Sequence, residues 1–329
     1  SIPKLLHFQA IDVHVKANSE IELWLLISAK QFATPASLTI SEPRNFYKFQ
    51  NFNNSLSIAG ITIMLVLALL ATLTYVGTRK VVGITCAGYL GLHGIGWAAA
   101  SGFIDDIFNL SVNTTYWGIL IFPFAIACAA QFVSTLFDCG VNHKKLYKFL
   151  KYLSISAACV GIAICFLPFP IAFFISHVLA VLWVVVTLTV GFVMLKQADF
   201  RAKYFLIGNL IYSGSLAYYI AAHSQFFGEL AYSESVVVLA LSIDCICILL
   251  CLSEWFKLKQ ADLNRHQYLS RIDSMTQLGN RFALNECLAN IEDFYVIIYV
   301  DLDGLKLVND KKGHQEGDKL IIKTANLLK

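Results

Sequence analysis

Residues 57–78 read SIAGITIMLVLALLATLTYVGT, with no acidic or basic side chain, and Arg79-Lys80 follow at once. A helix of about 20 apolar residues covers the hydrocarbon core of a bilayer, so this run reads as a membrane span closed by a pair of cations. Working outward, comparable stretches lie at about 82–102, 116–137, 152–169, 171–195, 204–222 and 236–256. Only Pro168-Phe169-Pro170 separates the fourth from the fifth, where two prolines break a helix and force a tight turn. Seven spans is the count, and six is its competitor. Composition agrees: the chain is 57% hydrophobic with mean hydropathy +0.64, and its 14% charged content is far below the roughly 25% of soluble domains. The formal net charge of +3 gives no ground for a nucleic-acid partner.

What decides orientation is where the cations sit. Arg79 and Lys80 follow the first span. Lys144, Lys145, Lys148 and Lys151 follow the third, Lys196, Arg201 and Lys203 the fifth, and Lys257 and Lys259 the seventh. The alternate loops hold no Lys or Arg and carry Asp105, Asp106, Glu229 and Glu234 instead. Cytoplasmic loops are the basic ones, so the N-terminus is expected outside and the C-terminus in the cytoplasm.

Residues 1–50 are polar enough for water and alternate in runs such as Leu6 to Val15 and Ile21 to Ile27, the period of strands. Two or three strands alone make a poor sheet, so this segment is expected to be the end of a larger external β domain. The chain opens at Ser1 without Met or a signal peptide, and its natural start is expected upstream. Seven of the nine cysteines lie in apolar stretches, and Cys139 and Cys287 fall on the cytoplasmic side. They read as small buried hydrophobes rather than disulfides or a metal site.

Beyond the last span, residues 257–272 contain neither Gly nor Pro, and Leu258, Ala261, Arg265, Tyr268 and Ile272 recur at three- and four-residue spacing. This is either a signalling helix that pairs in a dimer or a solvated connector. From 273 the character becomes soluble α/β. A helix is expected at 281–291, then Phe294 to Val300 as a strand buried on both faces, then two short helices about a turn at Gly313. Asp301 and Asp303 stand where that strand stops, and paired carboxylates at a sheet end suit either a metal or plain loop solvation.

The surrounding residues weigh this choice. Asp273-Ser274-Met275-Thr276-Gln277-Leu278-Gly279-Asn280-Arg281 precedes the strand. Asp301-x-Asp303-x-x-Lys306-x-x-Asn309-Asp310, Gly313-His314 and Gly317-Asp318 follow it. Both patterns, in this order and separation, resemble those of the GGDEF family of diguanylate cyclases, which join two GTP molecules into cyclic di-GMP. The resemblance implies that Asp301 and the carbonyl of Leu302 hold magnesium or manganese. It also implies that Lys306 lies near the triphosphate and that Asn309 and Asp318 read the guanine. Asp303, Asp310 and His314 are expected to be supporting structure, and Arg281 to serve folding and coupling. Two half-sites must face each other, which implies a homodimer.

The 329 residues end before the Gly-Gly-Asp/Glu-Glu-Phe turn that names the family. This piece is therefore expected to form no cyclic di-GMP, and its catalytic residues stay unassigned. The membrane half resembles the bacterial seven-transmembrane receptors with diverse intracellular signalling modules. That resemblance implies an inner-membrane receptor for an unknown external ligand.

The expected architecture is a mainly α membrane protein. It comprises a β segment at 1–50, a seven-helix sensor at 57–256, a helical linker at 257–272 and an incomplete, palm-like α/β GGDEF domain at 273–329. Asp244, mid-span in the last helix, is the ionisable group whose place in a bilayer asks for a role. It reads as a switch partnered by Asn209 or Tyr212, or as a hydrogen-bonded pin between two helices. The alternatives to a cyclase receptor are a receptor whose GGDEF module only binds nucleotide or protein, and a transporter.

Overall fold

In the computed structural model, residues 11, 13–15, 18, 20–26, 40–108, 114, 116–197, 199–223, 233–290, 292 and 294–329 are described. Long helices form at each of the seven apolar stretches: α1 Pro43–Thr78, α2 Val81–Ala100, α4 Trp117–Leu136, α6 Lys144–Ala163, α7 Phe169–Lys196, α8 Arg201–His223 and α9 Ser233–Arg271. Two short helices, α3 Phe103–Phe108 and α5 Cys139–Asn142, lie in the connections. Six of the seven are long and apolar enough to cross a membrane. The seventh, α8, is diluted by Asn209, Ser213, Ser215 and several tyrosines.

Local chemistry sets the ends. Pro43 sits in the first turn of α1, where its missing N–H and fixed φ do no harm. The helix stops at Arg79, which turns left-handed (φ 55°) and donates its N–H to the Tyr75 carbonyl at 2.7 Å. The double-proline break behaves as read. After α6 one 3-10 turn, Ile164–Phe166, leads to Pro168, and α7 starts with Pro170 in its first turn.

No strand occurs among the described residues of segment 1–50, and residues 43–50 are the opening turns of α1. The remaining residues of that segment lie outside the described ones. Alternation marks a strand only when a neighbour completes the ladder. The polar stretch Asn51 to Ser55 is also helix, and within it Asn53 is buried and accepts a bond from Ser235 of α9 at 2.8 Å.

The chain divides into two compact units, 1–255 and 256–329. In the first, α2 packs between α1 and α4, α4 also carries α6 and α7, and α7 packs on α8. Small residues permit these approaches. A Cβ on Gly94 would meet Leu65 of α1 at 2.9 Å, one on Gly96 would meet Phe122 of α4 at 2.6 Å, and one on Gly60 would meet Val238 of α9 at 2.5 Å. Hydroxyls add interhelical bonds: Ser154 to the Ala127 carbonyl (2.9 Å) and Ser176 to the Ile119 carbonyl (3.1 Å).

The second unit comprises the end of α9, then α10 Arg281–Ala289, α11 Leu305–Lys312 and α12 His314–Leu327. Gly313, at φ 85°, makes the turn between the last two. Phe294 to Val300 forms no ladder among the described residues, and every one of its side chains is exposed. A run suited to burial on both faces has no neighbouring strand here to bury it.

Candidate functional site

The Asp273–Arg281 motif builds a helix-to-helix joint. The Asp273 carboxylate accepts from the backbone N–H of Thr276 (2.9 Å), its hydroxyl (2.8 Å) and the N–H of Met275 (3.2 Å). The bonds from Thr276, and then from Met275, hold this carboxyl below its ordinary value. Gln277 takes a left-handed conformation (φ 59°), and Ile272 and Gly279 pair as a single antiparallel bridge. Asn280 then works in both directions. Its Oδ1 caps α10 by accepting from the N–H groups of Phe282 (2.9 Å) and Ala283 (3.2 Å). Its Nδ2 donates to the Ser270 carbonyl in the last turn of α9 at 2.7 Å. Arg271 adds an ion pair to Glu286 of α10 at 2.6 Å. Asn280 and Arg271 thus join the end of α9 to α10.

Asp301 is exposed, with Oδ1 accepting from the N–H of Leu302 at 2.9 Å. Gly304, left-handed at φ 78°, then starts α11. Lys306 and Asn309, three residues apart, share a face of α11. The structure joins Asn309 to the Gly317-Asp318 pair, because a Cβ on buried Gly317 would collide with the Asn309 amide oxygen. Asp318 is exposed beside it on α12. Among the described residues no cluster of three His, Cys, Asp or Glu side chains forms a metal cage.

In the bundle, Asp244 of α9 is fully buried. Its Oδ2 accepts from the Tyr89 hydroxyl of α2 at 3.1 Å, and its Oδ1 has no hydrogen-bond partner among the described residues. Gly208 of α8 lies against Oδ1, where a Cβ would collide with it. Neither sequence-proposed partner makes this bond: Asn209 turns its amide to the Phe205 carbonyl at 2.9 Å, and Tyr89 serves instead of Tyr212. His93, one turn beyond Tyr89, bonds the Tyr89 carbonyl at 3.0 Å and packs edge-on against its ring.

A second polar knot was not read from the sequence at all. Arg201, counted there as a flanking cation, is buried. It bonds Asp199 (2.7 Å), Asp138 (3.2 Å) and the Leu136 carbonyl that ends α4, while its own carbonyl accepts from the Cys251 thiol of α9 at 3.4 Å. The available signal was two acids, Asp138 and Asp199, in connections otherwise rich in cations.

Comparison with known proteins adds to this geometry. The profile of the family described as 7TM diverse intracellular signalling matches residues 53–255, the whole helical bundle. The chain belongs to that family. A second profile, diguanylate cyclase, GGDEF domain, matches residues 270–329, so this 7TM signalling protein couples a membrane sensor to a GGDEF domain. It is 38% identical over 69 residues to the uncharacterized protein YtrP of Bacillus subtilis (strain 168). The alignment covers 20% of this chain and 12% of that protein, so the chain spans a small part of its relative's length. No solved structure matches.

GGDEF domains generally work with Mg2+ or Mn2+. The residues of this 7TM signalling protein fit such an ion in kind, since a carboxylate and a backbone carbonyl are the hard oxygen donors it takes. The exposed Asp301 carboxylate and the Leu302 carbonyl are oxygen groups of that kind. Phosphate oxygens and water ordinarily complete the shell of a magnesium ion.

Proposed function

We propose that this chain is the sensor and the first part of the output module of a bacterial inner-membrane receptor. Its complete protein makes cyclic di-GMP from two GTP under the control of an external or intramembrane ligand. The observation that carries this is α9. One unbroken helix holds Asp244 at its buried end and runs to Arg271, where the Asp273–Asn280 joint grips its last turn. A ligand that changes how Tyr89, Gly208 and Asp244 pack alters the helix on which the GGDEF domain begins. The basic flanks support a cytoplasmic position for that domain, where GTP is, and an outside position for the first residues.

In the nucleotide site, Lys306 holds triphosphate oxygens. The Asp318 carboxylate accepts from the guanine N1 and N2 donors, and the Asn309 amide bonds the acceptor edge of the base. Gly317, lacking a Cβ, leaves room for the Asn309 side chain. Asp301 and the Leu302 carbonyl hold the divalent ion, which when bound neutralises phosphate charge and polarises the α-phosphate. Two such half-sites face each other in a homodimer. The ribose 3′ hydroxyl of each GTP attacks the α-phosphate of the other, so two phosphodiester bonds form and two pyrophosphates leave.

The test is product formation by the longer protein, purified in lipid with GTP and magnesium. Cyclic di-GMP is expected from it, is lost in Asp301→Ala, and is absent from the 329-residue chain. Product from the 329 residues alone would overturn the assignment of catalysis to the longer protein. GTP binding without turnover by the longer protein, with and without candidate ligands, would replace the cyclase reading by one of a nucleotide-binding module.

A further inference from the structure

The basic end of the bundle carries two kinds of cation. Arg201 is spent internally on Asp138 and Asp199. Lys144 and Lys145, in the first turn of α6, are exposed and form no ion pair among the described residues. They stand with His143 at the rim of a groove of about 640 Å³ between the start of α6 and the end of α7. Buried Val190 and Met194 form its floor, half-exposed Val193 lines its wall, and no acidic side chain borders it.

The position of this groove defines its ligand. α7 ends at Lys196, so Val190, Val193 and Met194 occupy the last two turns before the basic end. At 1.5 Å per residue they lie roughly 3–9 Å along the helix from Lys196. A soluble anion would use the rim and leave the apolar wall wet, and a plain hydrocarbon would leave the cations unmatched. An amphiphile with a phosphate at one end and a chain at the other matches both.

We propose that this groove binds one anionic phospholipid, its phosphate held by Lys144 and Lys145 and an acyl chain lying on Val190, Val193 and Met194. The site is independent of the nucleotide reading and of which membrane face the basic end occupies.

The experiment is native mass spectrometry of the whole chain in a neutral detergent, titrated with phosphatidylglycerol or phosphatidylcholine. Wild type is expected to retain discrete phosphatidylglycerol in preference to phosphatidylcholine. Lys144→Gln/Lys145→Gln should weaken retention by roughly 10–30-fold, and Lys144→Arg/Lys145→Arg should keep it. Val193→Trp, which fills the groove without touching a charge, should also weaken it. Lys80→Gln/Lys203→Gln removes the same charge elsewhere at the basic end and should leave retention within about twofold. Circular dichroism and elution volume identify any variant that has lost its fold. Equal losses in the Lys80/Lys203 pair, equal retention of phosphatidylcholine, or displacement by free glycerol phosphate would each overturn the proposal. The first two would mean diffuse attraction or an unselective surface, and the third a soluble anion as the ligand.

Discussion

Replacing Tyr89 by Phe isolates the bond that ties α2 to α9. The change removes one hydroxyl and nothing else, leaving both oxygens of a fully buried Asp244 without a donor, since Oδ1 has none to begin with. Interhelical hydrogen bonds in membranes average about 0.6 kcal/mol and reach about 1.7. Stranding a buried acceptor costs about 1–3 kcal/mol. These overlap at about 1–2 kcal/mol, which is the expected destabilisation and corresponds to a factor of roughly 5–30 in the folding equilibrium. The assay is reversible unfolding in mixed micelles, run as a double-mutant cycle with Asp244→Leu. In the double variant both polar groups are gone, so its cost should fall short of the summed single costs by about 1 kcal/mol. A Tyr89→Phe variant indistinguishable from wild type, or strictly additive single costs, would refute the view that this pair pins the two helices.

Other outcomes follow from the same reasoning. Asn280→Ala removes a helix cap and the bond to Ser270. It should cost about 1 kcal/mol, seen as faster hydrogen exchange in the first turn of α10 and the last of α9. Arg201→Gln leaves Asp138 and Asp199 without their guanidinium. The knot is partly hydrated, so the loss should be about 2–3 kcal/mol, at or below the ~3–5 of a fully buried pair, read by thermal unfolding in detergent. The Asp273 carboxyl lies below its ordinary 3.8. The stability it gives is therefore present above that value and lost as pH falls through the lowered one. Exchange at Met275 and Thr276 should accelerate in that acid window in wild type, and Asp273→Ala should show the fast rate already at neutral pH.

The sequence carried the bundle because apolar length and cation placement both report on the bilayer, and each of its seven stretches became a helix. It also carried the GGDEF domain, since Asp273 to Arg281 and Asp301 to Asp318 are fixed patterns that the family profile matches. What it did not carry were relations between distant segments. Nothing in the spacing of α2 says that Tyr89 should meet Asp244, 155 positions away. Asn209 and Tyr212 offered themselves because both are polar and lie on the helix next in sequence. Polarity misled at Arg201 for the opposite reason, because a residue read as a flanking cation found partners inside. Residues 43–50, assigned to the external segment, are instead the start of a helix that opens at Pro43, and Phe294 to Val300 forms no ladder among the described residues. Gly317 is the instructive case. The motif predicted a glycine, and the packing of Asn309 gives the reason for it.

The central claim is that an external signal reaches a cytoplasmic GGDEF domain through an odd number of spans. Reporter fusions test it directly: alkaline phosphatase, active only outside, and green fluorescent protein, fluorescent only inside, placed after Phe108, Gln197 and Lys329. The account predicts phosphatase activity after Phe108 and fluorescence after Gln197 and Lys329. Phosphatase activity at Lys329, or the same face for Phe108 and Lys329, would contradict it.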